Sequence, residues 1–402
     1  MSMRSFLKSG HTPTLFSAFL YFDLSFMAWV LLGPLAVLIA GDLGLSAAQK
    51  GLMVAVPTLV GALLRVVNGV MVDRIGPKRT GLIGQLIVIV GLIGAWAVGV
   101  HSFQQVLLLG VVLGVAGSAF AVALPLASRW YPPEHQGTAL GIAGAGNSGT
   151  VLASLFAPAL AVAFGWNNVI GLAALPLIVA LVVYMLLAKD SPRQPAPKPL
   201  PQYFSILKKP DAWRLMAFYA VTFGGFVGLA ASLPMYFNSE YGLDPVKAGL
   251  FNAACVFAGS MVRPFGGNLA DRIGGVRALT IMYAIAAVAL TIVSFGLPSL
   301  PAALTVIVIA MLALGAGNGA VFQLAPQRFP EEIGVITGFV GMAGGVGGFY
   351  LASSLGFAKQ LTGHYQIGLL AFAGLCLAAL LGLTWTKRVW APQSAAAAMA
   401  GE

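Results

Sequence analysis

Long apolar stretches alternate with short polar segments along the whole chain. Each stretch reaches about 20 residues or more, the length a helix needs to cross a hydrocarbon core of ~30 Å. The single-residue alternation of membrane strands does not occur, so the pattern predicts helices. We count twelve membrane helices, over residues 14–41, 48–72, 80–100, 103–128, 137–164, 167–188, 212–238, 245–270, 276–296, 301–326, 333–360 and 366–388.

The composition agrees with this all-α membrane architecture. Hydrophobic residues make up 59% of the chain, and Asp, Glu, Lys and Arg together only 8%. A soluble globular domain carries about 25% charged residues. A soluble domain is therefore excluded.

The few charged residues are divided unevenly between the two membrane faces. An even number of helices places both termini on one face, which collects nearly all basic residues, whereas the opposite loops hold only Lys50, Lys247 and Lys359. Because Lys and Arg mark the cytoplasmic side, we predict a multi-pass protein of the cell inner (cytoplasmic) membrane with both termini inside. The net charge of +10 then reflects topology, and no basic patch with interleaved aromatic residues predicts nucleic-acid binding.

Two arginines interrupt the apolar stretches at equivalent positions. Arg65 and Arg263 are 198 residues apart, and each is followed four residues later by glycine (Gly69, Gly267) and eight residues later by Asp-Arg-x-Gly. This recurrence predicts two pseudo-symmetric six-helix halves, at residues 1–188 and 212–390. A Pro-rich cytoplasmic linker at 189–211 joins them, and a short cytoplasmic tail follows at 391–402.

The two arginines lack an obvious partner. A guanidinium within the bilayer costs several kcal/mol unless it is neutralised, and the only acid that we place at this depth is Asp23. The planar fork of N–H donors suits an oxyanion. We therefore predict a site for one mobile anion between Arg65 and Arg263, the alternative being arginines held by ion pairs or backbone carbonyls.

Asp23 is the second candidate for function inside the membrane. It lies nine residues into the first predicted helix, or about 13 Å along it at ~1.5 Å per residue, which is near mid-depth. A carboxyl there can carry a proton, so Asp23 is a candidate proton-coupling residue. The alternative is a structural acid satisfied by neighbouring hydroxyls and amides, and the sequence leaves both open.

The sequence offers little other chemistry. Cys255 and Cys376 form no CxxC pair, so neither a disulfide nor a metal site is predicted. All four histidines fall at helix ends or in loops, and we therefore expect no catalytic group, no enzyme activity and no cofactor. The nucleotide-binding pattern GxxxxGK[ST] is absent, which leaves an ion gradient or a counter-anion to drive transport.

The Asp-Arg-x-Gly segments resemble the signature loop of the major facilitator superfamily. They lie after the second and the eighth predicted helix, as that loop does. The resemblance implies that these residues close the cytoplasmic face and assist switching rather than contact substrate. The residues concerned are Gly69, Asp73, Arg74, Gly267, Asp271 and Arg272.

Glycine is unusually dense in the fifth and eleventh predicted helices, at 141–149 and 338–348. Small residues let helices approach closely and slide, so we assign Gly144, Gly341 and Gly344 to gating. Together with the arginines, these runs look like the signatures of the nitrate/nitrite porter family within the superfamily. The resemblance extends over essentially the whole chain.

That resemblance implies a particular set of contacts. Arg65 and Arg263 clamp the anion, Asn147 donates a side-chain hydrogen bond to it, and Phe120 and Phe226 form walls against its flat faces. Some members of the family carry Tyr at the position that we align with Phe226, so a hydroxyl contact is expected to be missing here.

The function that the sequence predicts is secondary transport of nitrate, with nitrite as a further substrate, by alternating access. Asp23 and the first-helix pattern resemble the proton-coupled import branch of the family. The alternatives are a nitrate/nitrite antiporter, a facilitator for another small anion or an organic phosphate, and a membrane receptor that binds nitrate. We expect a monomer in the lipid bilayer.

Overall fold

The computed structural model describes residues 6, 8–192, 194, 196–197, 199–329 and 332–399. Helix accounts for 88% of the chain, and the described residues include twelve helices long and apolar enough to cross a membrane. The predicted all-α fold and the count of twelve are therefore confirmed. We number the spans α1 (Thr12–Leu43), α2 (Ala47–Ile75), α3 (Pro77–Val98), α4 (Phe103–Ser128), α5 (Ile142–Phe164), α6 (Trp166–Leu187), α7 (Pro210–Tyr241), α8 (Pro245–Ile273), α9 (Gly275–Ser294), α10 (Leu300–Ala325), α11 (Gly334–Thr362) and α12 (Gln366–Trp390).

Three helices are longer than the apolar span that defines them. The helix of α5 begins at Pro133 and that of α10 ends at Arg328. The helix of α12 continues to Met399, through most of the segment predicted as a tail. A further short helix, Leu200–Phe204, lies in the linker between α6 and α7.

The internal repeat extends to the backbone at the helix ends. Eight glycines have a positive φ, and they form four pairs at the spacing of the two arginines, 198 residues for three pairs and 197 for the fourth. Gly44 and Gly242, for example, end α1 and α7 in the left-handed conformation, with φ of +60° and +63°. Only glycine adopts this conformation at little cost. The pairs are Gly44 with Gly242, Gly76 with Gly274, Gly99 with Gly296, and Gly165 with Gly363.

Five of the spans are interrupted. A short break follows Trp29 in α1, Gly117 in α4, Leu172 in α6 and Met261 in α8, and a 3-10 turn, Ala145–Ser148, interrupts α5. In α8 the break precedes Pro264, which lacks a backbone N–H and therefore cannot continue the hydrogen-bond ladder. Broken helices release backbone groups for ligands or side chains.

Helices α1–α6 and α7–α12 meet tightly at the face opposite the chain termini. Near that face, a methyl group at Gly51 of α2 would lie 2.7 Å from the Cα of Gly356 of α11. The backbone N–H of Ala48 donates a 3.4 Å hydrogen bond to the side chain of Gln360. This contact leaves no room for a side chain between α2 and α11.

Two further helix pairs close the same face. A methyl group at Gly33 of α1 would lie 3.0 Å from the carbonyl oxygen of Ala231 of α7, and one at Gly249 of α8 would lie 2.6 Å from that of Ser154 of α5. The amide of Asn252 donates a 3.0 Å hydrogen bond to the Ser154 hydroxyl. The opposite face is therefore sealed by three helix pairs.

The face that carries the termini is more open. Methyl groups at Gly69 of α2, Gly144 of α5, and Gly334 and Gly338 of α11 would meet no heavy atom within 4 Å. These positions lie on the terminus side of Arg65 and of the breaks in α5 and α8. The bundle therefore opens toward the face that carries its termini.

Candidate anion-binding site

Arg65 lies on α2 and is only 1% exposed. Its Nη1 donates a 2.6 Å hydrogen bond to the carbonyl oxygen of Gly341 on α11, and its Nε donates a 3.3 Å bond to that of Gly117. The Gly117 carbonyl is available because α4 breaks there and the N–H of Ala121 bonds to Ser118 instead. The third nitrogen, Nη2, has no partner among the described residues.

Arg263 is the first residue of the second segment of α8. Its Nε and Nη2 are enclosed and have no hydrogen-bond partner in the described part of the chain. Its Cζ lies 4.9 Å from the ring centroid of Phe226, within the range of a cation–π interaction. This guanidinium is therefore in contact with an aromatic ring, while two of its donors remain unused.

One aromatic ring is common to both arginines. The ring centroid of Phe223 on α7 lies 5.2 Å from the Cζ of Arg65 and 5.4 Å from that of Arg263. Tyr219, one turn earlier, stacks on Phe223 with centroids 5.1 Å apart and planes 4° apart. The Tyr219 phenol also interacts electrostatically with both guanidiniums. The two arginines of the repeat therefore lie close together near the centre of the bundle.

The sequence interpretation missed Phe223, Tyr219 and Trp29. The Trp29 ring lies 5.4 Å from the Cζ of Arg65, and its indole N–H donates a 2.8 Å bond to the carbonyl of Pro57. Trp29 precedes Phe226 by 197 residues, one less than the spacing of Gly44 and Gly242 on the same two helices. The two rings therefore lie at neighbouring positions of the repeat, each beside the arginine of its own half.

The charge of the site is not compensated by protein. Neither Arg65 nor Arg263 forms an ion pair within the described residues, and the two positive charges repel each other. Buried donors without acceptors cost about 1–3 kcal/mol each. Rings and unused N–H groups around two cations form an environment that an oxyanion would complete.

Asn147 lies in the 3-10 turn of α5 and is 3% exposed. Its side-chain amide donates a 2.9 Å hydrogen bond to the hydroxyl of Ser260, three residues before Arg263 on α8. The amide thus connects α5 to the helix that carries the second arginine. No direct hydrogen bond joins it to either guanidinium in the described residues.

Phe120 begins the second segment of α4. Its ring lies 5.3 Å from the Cζ of Arg65 and 6.3 Å from the ring of Phe322 on α10. Phe322 in turn lies 5.0 Å from the ring of Tyr219. Phe120 and Phe226 are therefore placed beside different arginines, Phe120 at Arg65 and Phe226 at Arg263.

Asp23 is buried and lies next to this site rather than within it. Its carboxylate accepts a 2.6 Å hydrogen bond from the hydroxyl of Ser148 and a further bond from the backbone N–H of Gly149. Ser148 directly follows Asn147 in the 3-10 turn. Asp23 is thus satisfied by a neighbouring hydroxyl and a backbone N–H, as one of the two interpretations expected. Two hydrogen bonds connect it to Ser260 through the adjacent residues Ser148 and Asn147.

The glycines assigned to gating occupy different environments. The Gly341 carbonyl accepts the hydrogen bond from Arg65. A methyl group at Gly344 would lie 2.6 Å from the ring of Tyr219 and 2.8 Å from that of Phe223, so the absence of a side chain lets these rings lie against α11. Gly144 and Gly69 face open space, and Gly267 lies near Gly319 of α10.

The two Asp-Arg-x-Gly segments differ in their contacts. Asp73 accepts 2.7 Å hydrogen bonds from Arg129 and from the hydroxyl of Tyr203 in the linker helix. Asp271 and Arg272 are exposed, and neither forms an ion pair with the described residues. Arg74 is also exposed. The first segment is therefore attached to the linker, and the second is not.

Comparisons with known proteins agree with this fold. The model of the Major Facilitator Superfamily matches residues 18–352. The probable nitrate/nitrite transporter NarK2 of Mycobacterium tuberculosis is 36% identical over 373 residues, which cover 90% of this chain and 92% of that protein. The nitrite extrusion protein of Bacillus subtilis is 31% identical over 364 residues, covering 90% of each chain.

A solved structure shows the same fold at lower identity. A bacterial homologue of the human lysosomal transporter Spinster superposes with a TM-score of 0.73 at 19% identity, covering 93% of this chain and 96% of that one. Twelve membrane helices indicate a multi-pass membrane protein, and this likeness shows that the chain shares the fold of that transporter. The chain belongs to the Major Facilitator Superfamily, and within it to the family of the nitrate/nitrite porters.

Proposed function

We propose that the protein transports nitrate, and nitrite as a further substrate, across the cytoplasmic membrane by alternating access. The observation that carries this proposal is the pair of buried guanidiniums beside Phe223. Three of their nitrogen atoms lack hydrogen-bond acceptors, and neither guanidinium has a carboxylate partner among the described residues. A planar monovalent oxyanion fits these donors and rings. The names of the two bacterial relatives agree with such a substrate.

The direction of opening fits one half of an alternating-access cycle, a half that import, export and exchange share. The terminus face carries most of the basic residues, and from the positive-inside rule we infer that it is cytoplasmic. The three sealed helix pairs then lie outside, and the space around Gly69 and Gly338 opens inward. This arrangement corresponds to a state that releases substrate to the cytoplasm.

Proton coupling through Asp23 is the finer part of the proposal. Protonation of its carboxyl changes the hydrogen bond from Ser148, and Ser148 neighbours Asn147, whose amide bonds to Ser260 on the helix of Arg263. These two hydrogen bonds connect the Asp23 carboxyl to the 3-10 turn of α5, and that turn to α8. We infer that proton binding shifts this turn and thereby the interface between the two halves.

The test is uptake of labelled nitrate by proteoliposomes that contain the purified full chain. Accumulation that requires an inward proton gradient supports proton-coupled import. Liposomes with the Arg65→Lys, Arg263→Lys double variant serve as the matched control, because both charges remain while both forks are lost. If wild-type and double-variant liposomes take up nitrate equally, the arginine site is not the transport site.

Nitrate/nitrite exchange is the second candidate. The satisfied hydrogen bonds of Asp23 favour it, since a structural carboxylate would leave no coupling proton. Under exchange, external nitrate enters only when the liposomes are preloaded with nitrite or nitrate, and the proton gradient has no effect. The same preparation therefore distinguishes exchange from symport.

A further inference from the structure

A further buried polar side chain, in α10, has no hydrogen-bond partner among the described residues. Asn318 on α10 is 1% exposed, and both its Nδ2 and its Oδ1 lack hydrogen-bond partners among the described residues. Buried amides are nearly always hydrogen-bonded in native proteins. A residue that leaves donor and acceptor unused, in a helix otherwise rich in Ala and Gly, needs a physical reason.

The internal repeat indicates which part of α10 corresponds to the Phe120 region of α4. Asn318 follows Phe120 by 198 residues, the separation of Arg65 and Arg263, while Gly99 and Gly296, which precede these two helices, are 197 residues apart. Asn318 is therefore at the position equivalent to Phe120 or one residue from it. Because the ring of Phe120 lies 5.3 Å from the Cζ of Arg65, the corresponding part of α10 is expected near Arg263.

The packing of α10 agrees with this placement. Leu314 and Phe322, one turn before and one turn after Asn318, both face α7: Leu314 lies 2.9 Å from a methyl group built at Gly225, and the ring of Phe322 lies 5.0 Å from that of Tyr219. Gly319, the next residue, packs against the backbone of Arg263 and Gly267 on α8. Asn318 thus occupies the face of α10 between α7 and α8, at the level of Arg263.

Five unpartnered polar atoms belong to this region. They are Nη2 of Arg65, Nε and Nη2 of Arg263, and the Nδ2 and Oδ1 atoms of Asn318. Four are donors and one is an acceptor. A bound oxyanion supplies acceptors for the four donors.

We propose that Asn318 is a further anion-binding residue of this site, donating from Nδ2 to one substrate oxygen. This inference rests on the proposed function. The two halves then differ in this region: Phe120 provides an apolar wall and Asn318 a donor. A trigonal anion with three oxygens, such as nitrate, offers an acceptor to this donor in addition to those that meet the two guanidiniums, whereas nitrite has only two oxygens. Asn318 therefore favours nitrate over nitrite.

The experiment measures nitrate and nitrite binding to the purified full chain by titration calorimetry, together with thermal unfolding in anion-free buffer. Asn318→Leu is expected to weaken nitrate binding by at least about tenfold, equivalent to ~1.4 kcal/mol, and nitrite binding by a smaller factor. Its melting temperature without anion is expected to equal or exceed that of the wild type, because a buried amide without partners is removed. Asn318→Asp, of the same size, is expected to abolish nitrate binding because its carboxylate pairs with Arg263.

Gln323→Leu is the matched control. Gln323 is on the same helix and its Oε1 is also unpartnered, but its side chain lies against Gly275 of α9, away from the arginines. We expect this variant to keep its nitrate affinity within about twofold of the wild type. The loss of one charge-assisted hydrogen bond would lower the affinity by about tenfold.

Two results overturn the inference. One is wild-type nitrate affinity in Asn318→Leu or Asn318→Asp. The other is an equal loss of nitrate and nitrite binding accompanied by a lower melting temperature, which indicates a structural amide. Wild-type protein that binds neither anion refutes the proposed function itself, so the two failures are distinguishable.

Discussion

Arg65 donates a 2.6 Å hydrogen bond from Nη1 to the carbonyl oxygen of Gly341, across the interface between α1–α6 and α7–α12. Arg263, at the equivalent position of the second half, forms no such bond in the described structure. Two arginines of one repeat are thus in unequal states, one bound to the backbone of the other half and one with unused donors. When the halves separate at this level, Arg65 must exchange the carbonyl for another acceptor, and a substrate oxyanion provides one.

The clamp proposal predicts the effect of replacing either arginine by lysine. Lysine keeps the charge and loses the planar fork, so each variant is expected to lower nitrate uptake by roughly 10-fold to 100-fold, the loss of one or two charge-assisted hydrogen bonds. Arg65→Lys is also expected to lower stability, by about 1–3 kcal/mol, because its two carbonyl partners lose their donors. Uptake and thermal unfolding are measured on the same preparations, with Arg79→Lys, an exposed arginine, as control. Undiminished uptake in Arg65→Lys and Arg263→Lys would rule out the clamp.

The shared ring predicts unequal effects of two phenylalanines. Phe223 lies within 5.4 Å of both guanidinium carbons, whereas a cation–π contact joins Phe226 only to Arg263. With about 0.5–2 kcal/mol per cation–π contact, Phe223→Leu is expected to weaken nitrate binding more than Phe226→Leu does. Calorimetric titration with nitrate compares the two. Equal affinities of the two variants would show that the rings act only as packing.

The close contact of α2 with α11 predicts that one methyl group is enough to disturb the sealed face. In Gly51→Ala the new methyl group would lie 2.7 Å from the Cα of Gly356, whereas in Gly94→Ala it would meet no atom within 4 Å. We expect faster hydrogen–deuterium exchange at residues 47–60 and 345–360, and slower nitrate uptake, in the first variant only. If Gly51→Ala shows the wild-type rate of hydrogen–deuterium exchange, the sealed face tolerates a wider separation of α2 and α11.

The coupling proposal predicts that Asp23→Asn separates binding from the proton gradient. Asparagine retains an acceptor for the Ser148 hydroxyl but cannot take up a proton. Nitrate affinity is expected to stay within about threefold of the wild type, a smaller change than the loss of one hydrogen bond to a charged group would cause. The proton gradient is expected no longer to drive nitrate accumulation. Asp42→Asn is the control, since Asp42 is on the same helix near the other face and accepts a 2.5 Å bond from Trp166. Full gradient-driven accumulation in Asp23→Asn would remove Asp23 from coupling.

The structure brings together several residues that the sequence assigned to one site. Phe120 lies beside Arg65, and Phe226 lies beside Arg263. Asn147, expected to contact substrate, bonds to Ser260 in the described structure. The roles of these residues remain predictions, to be decided by the variants above.

The sequence by itself determined the twelve helices, the repeat and the uncompensated charge. Apolar length is a local property, a spacing of 198 residues is visible in the letters, and the scarcity of acids is a matter of counting. These features can be recognised without knowing which helices pack against each other.

Only the tertiary structure decided what surrounds each charge. The hydrogen bond from Arg65 to Gly341 joins residues 276 positions apart, and it depends on the helix pair that seals one face. Phe223 on α7 contacts both arginines, which lie on two other helices, α2 and α8. A helical period tells which residues share a face, but the partner of that face is set by packing of the whole bundle. For this reason the shared ring, the carbonyl partners of Arg65 and the unpartnered amide of Asn318 could not be derived from the sequence pattern.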